Sequence, residues 1–156
     1  EARLLAAACC LETGDVAGAA REAEGARRLA GPDDLGAALL LAEAHRRGGD
    51  REQALRVLQD VLARKPDQVQ ALAAAGDLLL EEGGSRAERA AELFKRCYRN
   101  DPEQGWFYLL RVAEAYSALG RSAEAEEMLE RAGSELPGTA EARRAWELVE
   151  RRIAGG

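Results

Sequence analysis

The four prolines of this chain stand at Pro32, Pro66, Pro102 and Pro137, which are 34, 36 and 35 residues apart. A near-constant period of this length marks a repeat protein, in which each unit buries its apolar face only by stacking on its neighbours. Ala19, Ala54, Ala90 and Ala125 lie 13, 12, 12 and 12 residues ahead of those prolines, each near the start of a helical pattern. A glycine turn opens each of these helices, at Gly14-Asp15, Gly49-Asp50, Gly83-Gly84 and Gly120-Arg121. The unit therefore reads helix, tight turn, helix, proline stop. Proline removes an amide donor and clashes inside a helix yet fits the first turn of the next one, so a new first helix is expected at each proline.

Composition points the same way. Aromatic residues make up 4% and charged residues 32% of the 156 positions, and alanine, leucine, arginine and glutamate dominate, which predicts an all-α protein long enough to build one domain with a core. The net charge is -6, and no segment gathers lysine and arginine without acids between them. This balance argues against nucleic acid or anionic membrane as the main partner. No apolar run approaches the roughly 20 residues that span a bilayer, so membrane insertion is not expected. Glu1 falls in mid-pattern, which suggests a fragment of a longer protein. Three cysteines, with Cys9 and Cys10 adjacent and diverging on one helix, argue against a disulfide framework. Cys10 and Cys97 occupy core positions, as small buried thiols in a reducing, cytoplasmic setting would.

The positions that recur carry a known pattern, W-x2-L-G-x2-Y in a first helix and A-x3-F with a later proline in a second. The fourth unit supplies Leu109, Val112, Ala113 and Tyr116, then Ala125, Leu129, Ala132 and Pro137. The third gives Leu72, Ala75, Gly76 and Leu79, then Ala90, Phe94, Cys97 and Pro102. The second gives Ala38, Leu41, Ala42 and His45, then Ala54, Leu58, Val61 and Pro66. The first is weakest, with Arg3, Ala6, Ala7 and Cys10, then Ala19, Ala23 and Ala26. In these residues the chain resembles the tetratricopeptide repeat family. The resemblance implies an α-solenoid of antiparallel helix-turn-helix repeats wound as a right-handed superhelix. It divides a single domain, 1–156, into repeats of about 1–32, 33–66, 67–102 and 103–137 with a capping helix over about 139–153. On that last helix Ala142, Ala145, Trp146, Val149 and Ile153 form one apolar stripe, and Trp146 is read as core.

Two departures stand out. Gly83 and Ala90 are seven residues apart where the other repeats have five, a two-residue insertion expected to bulge around Gly84-Ser85-Arg86. The second helix of the first repeat is rich in alanine and carries Gly25, which costs about 1 kcal/mol against alanine, so this hairpin is expected to be the loosest.

Catalytic chemistry is missing from the text. The one histidine, His45, replaces the tyrosine of the pattern and reads as a packed residue. Glu81-Glu82 and Glu126-Glu127 read as solvated helix faces, and the glycines follow no strand that would make a phosphate loop. The expectation is a non-enzymatic chain with no catalytic residues, no cofactor and no metal.

In this family the concave groove is lined from first-helix positions 2, 5, 6, 9, 12 and 13, counting the Trp site as 4. Here the resemblance places Leu4, Leu5 and Leu11, then Leu39, Leu40, Glu43, Arg46 and Arg47, in the groove. The third repeat adds Gln70, Ala73, Ala74, Asp77 and Leu80, and the fourth Phe107, Leu110, Arg111 and Glu114. Phe107 is the member of Trp106-Phe107-Tyr108 assigned there, since three successive helical residues point to three sides. Glu43, Asp77 and Glu114 would form a carboxylate ladder beside leucines, suited to a protein or peptide partner with apolar anchors and some basic residues. The competing reading pairs Glu43 with Arg46 or Arg47, and Glu114 with Arg111, as solvated ion pairs. A family subgroup grips chaperone tails with cationic and amide side chains, and of its sites only Arg111 matches, which disfavours that ligand. Two roles fit: an interaction scaffold, or a regulatory or targeting domain of a larger enzyme. Self-association through the apolar groove or the first repeat is also open.

Overall fold

The computed structural model describes residues 1–155. Among them are nine α-helices, one 3-10 turn over Pro102–Gln104, and no strand. The helices are α1 (Ala2–Thr13), α2 (Val16–Ala30), α3 (Leu35–Arg47), α4 (Arg51–Arg64), α5 (Val69–Glu82), α6 (Arg86–Asn100), α7 (Gly105–Ala118), α8 (Ser122–Ser134) and α9 (Ala140–Ala154).

The helix boundaries follow from local chemistry. Gly14, Gly49 and Gly120 hold φ values of 79°, 83° and 72°, a left-handed geometry that a side chain resists, and so they end the first helix of each hairpin. The next helix starts at once, because Asp15 and Asp50 accept the amides of Gly18 and Gln53 at 2.8 and 3.0 Å. The prolines do not sit in the first turn of the following helix, as the sequence suggested. Each lies three residues ahead of it; Pro102 opens the 3-10 turn that leads into α7, and after Pro32 and Pro137 the start is set by a capping residue further on. Asp34 accepts from the Ala37 amide at 2.8 Å, and Thr139 from the Ala142 amide at 3.2 Å. The insertion in the third turn is divided in two. Gly84 follows Gly83 as a second left-handed glycine, at φ 55° after 69°. The other residue lengthens the first turn of α6 ahead of Ala90.

The chain forms two compact units, Glu1–Leu78 and the residues from Leu79 onward. In the first, α1 packs on α2, α2 on α3 and α3 on α4, and α1 also reaches α3. Alanines fill the close crossings: Ala7, Ala19, Ala23, Ala37, Ala38, Ala44 and Ala54 are fully buried. Leu41, Leu55, Val57, Leu58 and Val61 supply the larger volume. Polar ties reinforce the stacking, with Arg47 Nη1 donating to the Leu11 carbonyl at 2.8 Å and Arg27 Nη2 to Asp60 Oδ2 at 2.8 Å. Arg3 crosses over Gly25 and pairs with Glu22 at 3.0 Å, so the glycine lies beneath a guanidinium.

In the second unit α7 is central, with α6, α8 and α9 packed against it. Phe94, Cys97, Leu110, Val112 and Ala113 are fully enclosed. Tyr108 is buried with its hydroxyl donating to Asp101 Oδ2 at 3.2 Å; burial and the neighbouring Asp101 charge push its phenol well above the ordinary range. Arg121 and Lys95 both lie over the Tyr116 ring, 4.6 and 5.3 Å from its centroid. On α9 Ala142 and Val149 are buried, and half-buried Trp146 donates its indole N–H to the Leu129 carbonyl at 2.9 Å. Gly133 makes room for that ring, since a Cβ there would stand 3.1 Å from the indole nitrogen.

Candidate interaction surface

In the first unit Leu4, Leu39 and Leu40 are half-buried, and Leu5 is 69% exposed. Leu11, expected on the groove, is instead buried against Ala19 and Ala44, with Leu40 packed beside them. Its position in the repeat count places it on the first-helix face, and α2 and α3 close over it. Glu43 accepts from Arg46 Nε at 2.7 Å and from Arg47 Nε at 2.6 Å. The Arg46 hydrogen bond leads in holding the Glu43 carboxyl below its ordinary pKa, against the opposing effect of partial burial. Gln70 is exposed and accepts from Gln68 at 2.6 Å, while Ala73, Ala74 and Asp77 are half-buried.

In the second unit Leu80 is half-buried and Phe107 is 40% exposed, its ring edge-on to Trp106 and Tyr108. Leu110, another expected groove residue, is fully buried where α6, α8 and α9 surround α7. Arg111 pairs with Glu114, and its guanidinium lies 5.3 Å from the Phe94 ring centroid. Glu114 also accepts from Arg152 Nη1 of α9 at 2.7 Å.

These side chains border a cavity of about 370 Å³ lined by Leu80, Glu81, Arg111, Glu114, Ser117, Ala118, Arg152 and Ile153. Three of the expected groove residues, Leu80, Arg111 and Glu114, thus meet in one opening. Glu81, Ser117 and Ala118 fall at positions 12 and 13 of the same count and were within its reach. Arg152 and Ile153 were not, because α9 lies outside the repeat. Among the described residues no group of three or more His, Cys, Asp or Glu side chains is placed to hold a metal ion. None of the helices described is long and apolar enough to cross a membrane.

Family models described as tetratricopeptide repeat match residues 37–70 and 79–147. The chain belongs to the tetratricopeptide repeat family. As such it is a repeat module of the protein-interaction kind. Solved structures share its all-α solenoid fold. One is TTC0263, a thermophilic TPR protein of Thermus thermophilus, at TM-score 0.75 and 22% identity over 95% of this chain and 79% of that one. Another is MamA, at TM-score 0.73 and 17% identity over 98% and 81% of the two chains. No curated protein sequence matches the chain.

Proposed function

We propose that this tetratricopeptide module is non-catalytic and holds a peptide or a partner helix on its first-helix faces. The observation that carries the reading is the cavity where Leu80, Arg111 and Glu114 converge with Ile153. Its aliphatic walls suit an apolar anchor and its carboxylates a basic side chain. An acidic chaperone tail is disfavoured, because Arg111 is already paired with Glu114. Nucleic acid is disfavoured by the net charge of -6.

Ala118 is exposed on the last turn of α7 and lines the cavity, so Ala118→Trp should fill the opening without disturbing the core. The test is a pull-down with parent and variant, after circular dichroism shows equal helicity. A partner held by the parent and lost by Ala118→Trp supports the reading; equal retention contradicts it. A second reading, self-association, is favoured by Leu5 and Leu29, which are 69% and 80% exposed. Light scattering at two concentrations decides it.

A further inference from the structure

The cavity of the second unit already holds a charged group of the chain's own. The side chain of Glu114 is only 13% exposed, yet it serves two guanidinium groups. Arg111 comes from the preceding turn of the same helix, and Arg152 from the last turn of α9, with Nη1 2.7 Å from Glu114 Oε1. The two arginines differ. Arg111 is held by packing, with its guanidinium over the Phe94 ring. Arg152 is 62% exposed, and an exposed arginine gives up much of its rotamer freedom for a contact worth little in water. It is the exchangeable member of the pair. Beside it lie the aliphatic side chains of Leu80, Ala118 and Ile153, and a further carboxylate, Glu81.

We propose that Arg152 is the resident occupant of an arginine subsite: the cavity takes the guanidinium of an arginine flanked by an aliphatic residue in a protein partner, and that arginine displaces Arg152 from Glu114. The inference rests on the interaction-module reading and names the partner chemistry of the same site. Arginine suits the place because its planar, weakly hydrated fork matches a half-buried carboxylate better than a lysine ammonium does. The volume of about 370 Å³ suits one such side chain with its aliphatic neighbour. For partners that carry the arginine, Arg152 at the end of α9 is thereby a competitor, and for those that lack it Arg152 stays on Glu114.

The test uses the full chain and a capped pentapeptide, Ala-Leu-Arg-Leu-Ala, with a second peptide in which citrulline replaces arginine and removes the charge at constant shape. Calorimetric titration is run on the parent, Arg152→Gln, Glu114→Gln and the double variant, each checked for helicity. Arg152→Gln is expected to bind the arginine peptide about threefold more tightly or better. Glu114→Gln is expected to weaken it by about tenfold, and in that background Arg152→Gln should bring no gain. The citrulline peptide should show no gain in any variant. Unchanged or weaker binding to Arg152→Gln overturns the proposal, as does a gain that survives in Glu114→Gln or with citrulline. Absence of binding to every variant also overturns it, while leaving the module reading to the Ala118→Trp comparison.

Discussion

The hairpin of α1 and α2 and the hairpin of α7 and α8 share one plan of helix, left-handed glycine and helix, but they are filled differently. The first buries Ala7, Leu11, Ala19, Ala23 and Ala26; the second buries Tyr108, Leu109, Leu110, Val112, Tyr116, Met128 and Leu129. Each buried methylene contributes about 0.8 kcal/mol, so the alanine hairpin gains far less from its stacking. Repeat period sets where helices cross, and side-chain volume sets how firmly each crossing holds. The candidate pocket is lined by α7 of the well-filled hairpin together with α5 and α9, and the packing of α7 keeps Arg111 and Glu114 in place.

The largest effect that sharpens this contrast is expected from Phe94→Ala. It empties the core of the second unit and should cost about 3–5 kcal/mol in urea unfolding, against about 2 kcal/mol for Leu11→Ala among small neighbours. Equal costs would erase the distinction. Trp146→Phe keeps most of the ring but loses the N–H bond to Leu129, and a loss of about 1 kcal/mol should appear as faster amide exchange in α8 and α9. Exchange at the parent rate would show that the indole N–H does not fasten the cap. Gly25→Ala should narrow the difference between the hairpins. The three atoms nearest an added Cβ all belong to the flexible Arg3 side chain, so helix propensity should raise stability by up to about 1 kcal/mol, read as a higher Tm. A lower Tm would mean that the Arg3–Glu22 pair matters more than propensity. The smallest effect concerns acid. Because the folded-state pKa of Glu43 is depressed, its contribution is present above the ordinary glutamate value of 4.5 and is lost as pH falls through the lower folded value. Stability of the first unit should drop by a few tenths of a kcal/mol in that window, and Glu43→Gln should flatten that part of the pH profile.

Much of the helix plan was legible because glycine and proline impose backbone geometry locally. Gly14, Gly49, Gly83 and Gly120 mark turns by sequence and hold left-handed φ in the structure. The insertion after Gly83 was countable, but its division between Gly84 and the first turn of α6 depends on where the helix can begin. The ion-pair alternative for the groove carboxylates was also legible, since i to i+3 and i+4 spacing fixes Glu43 with Arg46 and Arg47. Burial was harder to read. Position in a repeat tells which side of its own helix Leu11 or Leu110 occupies, and neighbouring helices decide whether that side reaches water. Arg152 was out of reach for another reason. Its link to Glu114 joins residues 38 apart across two helices, one of them outside the repeat.

The most direct measurement is amide hydrogen exchange of the chain alone and with the partner retained in the pull-down. If the first-helix faces hold that partner, protection should rise at 80–81, 111–118 and 152–153, with the outer face of α8 around Glu126, Glu127 and Glu130 unchanged. Protection confined to α6 and α8, with the cavity segments exchanging as before, would contradict it.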